Sequence, residues 1–172
     1  MESQGPFDLV LRTLEEGRND VEMAGTAADL GIASGDLRVQ GPVVLRAKAF
    51  RAGHRVEIQG SLSATITLVC DRCLEPVVRE LRIPVRVYAD RPESRDRRSP
   101  QELREQDLGI VYHDGQSVAL AEELRQELLV EVPWHVLCRE DCRGLCPRCG
   151  ANRNVSSCGC APSIGEAAQE TG

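Results

Sequence analysis

Eight cysteines fall in four close pairs: Cys70-x2-Cys73, Cys138-x3-Cys142, Cys146-x2-Cys149 and Cys158-x1-Cys160. Cysteines this near in sequence can turn both sulfurs toward one ion, and a tetrahedral zinc site takes four such ligands. Two closed shells therefore use every cysteine. Gly150, after Cys149, supplies permissive backbone that leaves amides free to point at sulfur. The pairs combine in three ways. The preferred one gives Cys70, Cys73, Cys138 and Cys142 to one zinc ion and Cys146, Cys149, Cys158 and Cys160 to a second, whose loop is short and cheap to close. The alternative joins Cys70 and Cys73 to Cys146 and Cys149 and interleaves the rest. The spacings do not resemble those of iron–sulfur clusters, and no thioredoxin-like βαβ unit frames a redox pair.

A closed thiolate shell holds structure and does not activate water. The rest of the chain offers little catalytic equipment. His54, His113 and His135 lie far apart, and there is no HExxH, GxGxxG, Walker loop or GxSxG. His135, close to Cys138, reads as a surface residue rather than a ligand. Trp134 reads as a core plug beside a metal site. Asn154 heads a sequon that has no meaning without export. An enzyme with a small-molecule substrate is not expected. The opening MESQGPFDLV has no basic region followed by an apolar stretch, and no apolar run reaches membrane-spanning length. A cytoplasmic, reducing compartment is expected, where paired cysteines are metal ligands before they are disulfides.

The 172 residues carry a formal charge of −6 and 3% aromatics. So few aromatics exclude a base-stacking platform as the main device. Two zinc ions on eight thiolates move the charge to about −10, so nucleic acid cannot be held across the whole surface. Residues 36–91 nonetheless hold ten basic and six acidic residues, a local +4. Lys48 is the only lysine among 21 basic residues. Any RNA contact must be local, through Arg46 and Lys48 on the basic strands or through Arg139, Arg143, Arg148 and Arg153 around the cysteines.

These residues need a frame. Val43, Leu45, Ala47 and Ala49 alternate with Val44, Arg46, Lys48 and Phe50. Val56, Ile58, Leu62, Ala64, Ile66 and Leu68 share one parity of a longer run, and Val77, Leu81, Ile83, Val85 and Val87 follow after the first cysteine pair. Period two over such lengths predicts strands with one buried face. Short connections predict antiparallel pairing. Gly41-Pro42 and Ala52-Gly53-His54 read as turns, and Gly60 as a bulge or bend. Residues 91–107 are charged and read as a mobile acidic insertion. Leu108–Tyr112 reads as a returning strand. A helix is predicted over 117–131, capped by Ser117 and ended by Pro133. The expected fold class is α+β: an antiparallel sheet or partly open barrel body over 36–137 with one main helix. A leading segment (1–35) holds a strand or short helix, a zinc module spans 138–160, and a disordered tail spans 161–172.

The segment Cys70-Asp71-Arg72-Cys73-Leu74-Glu75-Pro76 and the run Cys142-Arg143-Gly144-Leu145-Cys146-Pro147-Arg148-Cys149-Gly150-Ala151-Asn152 resemble the YceD family, the large ribosomal RNA subunit accumulation proteins. The order of parts over residues 5–160 is similar as well. The resemblance implies a non-enzymatic bacterial factor for ribosome biogenesis, with large-subunit rRNA, its precursor or a ribosomal protein as partner. Members often lie beside a gene for a small zinc-ribbon protein of the large subunit. Some relatives lack the final cysteine run and keep ligands matching Cys70, Cys73, Cys138 and Cys142, which favours the preferred pairing. Where the family commonly has Asn-Leu-Asn, this chain has Asn152-Arg153-Asn154, and Arg153 is expected to expose its head. Two other readings stand beside this one: a zinc-dependent adaptor or regulator, and a redox-sensing thiol protein, which metal analysis separates.

Overall fold

The computed structural model describes residues 5–33, 35, 37–92 and 110–160. The expected insertion, beyond Arg91 and Pro92, and the expected tail lie outside these residues. The described chain is α+β. It forms strands β1 (Asp8–Val10), β2 (Gly17–Gly25), β3 (Arg38–Ala52), β4 (Arg55–Val69), β5 (Pro76–Asp90), β6 (Ile110–Tyr112) and β7 (Ser117–Ala119), followed by helix α1 (Ala121–Glu131). Two compact units result: residues Met1–Thr67 with Val78–Val132, and Leu68–Val77 with Pro133–Gly172.

In the first unit the predicted parity holds. Val43, Leu45 and Ala49 on β3, Val56, Ile58, Leu62, Ala64 and Ile66 on β4, and Ile83, Val85 and Val87 on β5 are buried, while Arg46, Lys48 and Phe50 are exposed. Strands β2 to β6 form one open sheet in sequence order, not a barrel. The β3–β4 hairpin closes through Gly53 and His54, with Ala52 opposite Arg55.

The structure departs from several expectations. Gly41-Pro42 does not end a strand; β3 runs through it with a register shift between Gln40 and Val44. Gly60 is no bulge, because the register passes evenly through the Ala47–Gly60 pair. Its role is close approach: a Cβ there would overlap the Arg46 carbonyl oxygen and the Ala47 Cα. Residues 1–35 hold the expected strand and short helix, as β1 and a 3-10 turn at Leu11–Thr13, and beyond them an unforeseen full edge strand, β2, paired antiparallel to β3. Ser117 caps nothing; it belongs to β7, which pairs with β1 through Leu9 and Val118. The helix starts later, at Ala121, without a side-chain cap, and Glu122 and Glu123 face its positive end. Finally, the returning strand, of which β6 (Ile110–Tyr112) lies among the described residues, pairs parallel rather than antiparallel to β5. Its mate is reached across the long stretch after Asp90, as parallel pairing requires.

Helix α1 buries Leu124 and Leu128 and stops before Pro133, with Val132 extended. His54 and His113, distant in sequence, meet here. The buried His113 accepts the Gly115 N–H at Nδ1 (3.0 Å), so its Nε2–H donates to the His54 carbonyl (2.8 Å). Among the described residues no helix is long and apolar enough to cross a membrane.

Candidate metal centres

Strand β4 ends at Val69 and delivers Cys70 into a tight knuckle. The Cys70 N–H donates to the Glu75 carbonyl and the Leu74 N–H to the Cys70 carbonyl, each at 2.9 Å, and Leu74 takes φ 60. Asp71 clamps the arriving segment. Its N–H donates to the Val136 carbonyl (2.8 Å), and its Oδ2 accepts the Val136 N–H (2.8 Å). That clamp sets Cys138 beside the knuckle, where its N–H donates to the Cys70 sulfur at 3.3 Å.

The second knuckle is built alike. The Gly150 N–H donates to the Cys146 carbonyl and the Cys146 N–H to the Ala151 carbonyl, both at 2.8 Å. Gly144 turns the chain into it with φ 68; a Cβ there would sit 2.9 Å from the Arg72 carbonyl oxygen. That carbonyl accepts the Leu145 N–H at 2.9 Å, so the two knuckles lie side by side.

The cysteines gather in two groups, Cys70, Cys73, Cys138 and Cys142, and Cys146, Cys149, Cys158 and Cys160, with the sulfurs of each group within 4.8 Å of one another. This is the preferred pairing; the interleaved alternative is excluded by that grouping. All eight thiols are free. The Cys70–Cys142 and Cys73–Cys138 sulfurs stand 3.8 and 3.6 Å apart. A tetrahedral thiolate shell with metal–sulfur bonds near 2.3 Å has edges of about 3.8 Å, so the donor set fits one ion per group.

Protonation follows the same geometry. Burial opposes ionisation of Cys70, but the N–H groups of Cys73, Arg72 and Cys138 outweigh it and bring the thiol to about 6. The N–H groups of Cys149 and Arg148 bring Cys146 to about 6. Burial and then the neighbouring sulfurs push Cys138 up to about 12, and Cys149 and Cys146 push Cys160 to about 12. Each cluster thus ionises one thiol readily and resists the last, a repulsion that a divalent cation among the sulfurs reverses.

Sequence reasoning missed the residues around the ligands. Asn154, noted as a sequon and as the end of Asn152-Arg153-Asn154 but given no role, donates to the Cys142 sulfur (3.3 Å), while its Oδ1 accepts the Arg143 N–H (2.8 Å) and an Arg139 guanidinium N–H (2.9 Å). Arg72 donates to the Cys142 carbonyl at 3.0 Å. The Asn after the second knuckle was the available signal, but nothing in its spacing says which ion it serves. Trp134 is a correction: it plugs no core and is 93% exposed. His135 is exposed and outside both clusters, as expected; its ring lies 3.5 Å from Asp71.

The candidate RNA contacts separate. Arg46 is exposed but held by Glu22 at 2.9 Å, and Lys48 is exposed opposite Asp20. Nearby arginines are paired too: Arg55 with Asp90, Arg82 with Glu80 and Arg86 with Glu57. The basic strip is therefore laced with carboxylates. Arg139 is shared between Asn154 and Asp141. Arg153 is half-buried rather than fully extended into water. Arg143 and Arg148 are exposed.

A family model described as "Large ribosomal RNA subunit accumulation protein YceD" matches residues 58–168, a span that includes all eight cysteines. A Zea mays protein named "Large ribosomal RNA subunit accumulation protein YCED homolog 1, chloroplastic" is 29% identical over 79% of this chain and 56% of its own. Uncharacterized proteins of Mycobacterium bovis and Mycobacterium tuberculosis are 28% identical over 55% of this chain and 44% of theirs. The chain spans about half the length of these relatives. No solved structure matches.

Proposed function

The chain belongs to the YceD family of large ribosomal RNA subunit accumulation proteins, and from that premise we propose that it is a non-enzymatic, zinc-binding cytoplasmic factor that supports accumulation of large-subunit rRNA and thereby ribosome biogenesis. The observation that carries the reading is the pair of complete four-cysteine groups inside the span matched to the family. Four thiolates with no fifth donor among the described residues suit zinc in a closed structural site, which leaves no coordination position for a substrate. The metal's work is then mechanical. One ion ties the β4–β5 knuckle to the segment after Pro133, and the other closes the loop from Cys146 to Cys160.

The partner is large-subunit rRNA, its precursor or a ribosomal protein. The protein's acidity and the ion pairs on its sheet support a local contact rather than a coat of charge. Three measurements test this. Protein from a reducing extract should carry two zinc ions per chain. It should also co-sediment with large-subunit precursors, less so as salt rises, and its depletion should lower large-subunit rRNA relative to small-subunit rRNA. Metal-free folded protein would favour the redox-sensing reading. Migration at the top of a low-salt gradient, with rRNA ratios unchanged on depletion, would defeat the ribosomal one.

A further inference from the structure

Trp134 is the chain's one tryptophan, and it stands 93% exposed. Burying an indole is among the largest single gains open to a fold so poor in aromatics, so its display in water calls for a partner. Pro133 is exposed as well, and the His135 side chain is 94% exposed. The backbone beneath is firmly held: two residues on, Val136 exchanges hydrogen bonds of 2.8 Å with Asp71. The next knuckle residue, Arg72, donates to the Cys142 carbonyl, and Arg143 follows directly.

The guanidinium groups of Arg143 and Arg148 have no carboxylate or hydrogen-bond partner among the described residues, whereas Arg46, Arg55, Arg82 and Arg86 on the sheet strands each have one. An outward aromatic and uncommitted guanidiniums on one metal-braced unit match a single-stranded nucleic acid, whose bases stack and whose phosphates pair with cations. An apolar protein surface would cover the indole but leave the guanidiniums unanswered. We infer that Trp134 is a stacking post for an unpaired RNA base, with Arg143 and Arg148 as phosphate contacts. This rests on the ribosomal reading above and names the contact by which the zinc unit meets RNA. The low aromatic content excludes a platform of several rings, not one ring.

The lone tryptophan reports its own occupancy. The zinc-loaded full chain is titrated with a labelled single-stranded RNA of about twelve nucleotides, within the usual site sizes, while indole emission and RNA anisotropy are followed together. Emission should be quenched in step with binding, and a duplex of equal length should not quench it. Trp134→Ala should weaken binding about five- to a hundred-fold, the worth of one base–aromatic stack, with zinc content unchanged. Arg143→Ala and Arg148→Ala should each reduce the salt slope by about 0.7. RNA binding with unaltered emission, parental affinity in Trp134→Ala, or no RNA binding at all overturns the inference. Gradient sedimentation of Trp134→Ala separates the two levels. Undiminished co-sedimentation leaves the ribosomal function standing without this contact. Lost co-sedimentation, with an indole indifferent to RNA, assigns the post to a ribosomal protein instead.

Discussion

Asn154 lies in sequence between two ligands of the second cluster, yet its amide serves the first. It donates to the Cys142 sulfur and ties down the Arg143 N–H. Groups that orient a ligand in this way set metal affinity almost as strongly as the ligands do. Asn154→Ala should therefore weaken zinc at the first site by about 10- to 100-fold and leave the second near parental affinity. Chelator competition, read as two release phases, checks this; equal weakening of both phases would place Asn154 in the second site's support. A carboxylate offers a second test at this scale. Asp114 is held below its usual 3.8 chiefly by the Gln116 N–H at 2.7 Å. Because its folded-state pKa is depressed, its contribution is present above the unfolded value and disappears as pH falls through the folded one. Asp114→Asn keeps an acceptor for the turn but loses the charge. It should melt lower than the parent at neutral pH, and the gap should narrow below about pH 4. Acid release of metal affects both chains alike, so the difference isolates the carboxylate. A gap constant with pH would assign the loss to turn geometry.

At the scale of elements, the approach of β3 to β4 at Gly60 leaves no room for a methyl group. Gly60→Ala must part the two strands or shift their register. The expected cost is about 1–3 kcal/mol, measurable as a lower urea midpoint with an unchanged slope. An unaffected midpoint would show that the hairpin can open there freely. Strands β3, β4 and β5 were legible because over 43–49, 56–66 and 81–89 one face is buried or partly buried throughout, so period two shows through. Strand β2 was not, because it is an edge: only Val21 is buried in Gly17–Gly25, and Arg18, Asp20 and Glu22 sit on a solvated face where no pattern is demanded. Such charges also blunt an open edge. Ser117 misled for a related reason. It precedes a leucine-rich helix, as a cap would, but Val118 is fully buried opposite Leu9 as a strand residue. Gly60 was noticed as an anomaly of parity; whether such a glycine means a bulge or a close approach depends on the partner strand, which the sequence does not position.

For the whole molecule, the decisive contrast lies between the two units' interiors. The first is built on Val43, Leu45, Ile58, Leu62, Ile66, Ile83, Leu124 and Leu128, enough apolar area to hold by burial. The second buries Cys70, Cys73, Val77, Val136 and Cys142, with Leu68, Leu137 and Leu145 at its margin. Three of that cluster's five members are cysteines and Cys146 is buried as well, so most of what would be this unit's core is sulfur. A unit this small and this poor in aliphatic side chains is expected to depend on a metal to stay folded. The cysteine spacing announced that dependence, but not the boundary. The expected module began at Cys138, whereas the unit also takes in Leu68–Val77, because the first cysteine group draws Cys70 and Cys73 from a hairpin tip some seventy residues earlier. Zinc removal should therefore unfold the molecule in part. With excess chelator under reducing conditions, the amides of Cys70, Asp71, Val136, Leu145 and Cys146 should lose hydrogen-exchange protection, while those of the β2–β3 ladder keep theirs. Cys70→Ser should reproduce this pattern at the first site with one zinc retained, and Cys158→Ser should release only the second ion. Simultaneous loss of protection in both units on chelation would mean that they fold as one, and that the metals support the sheet as much as the knuckles.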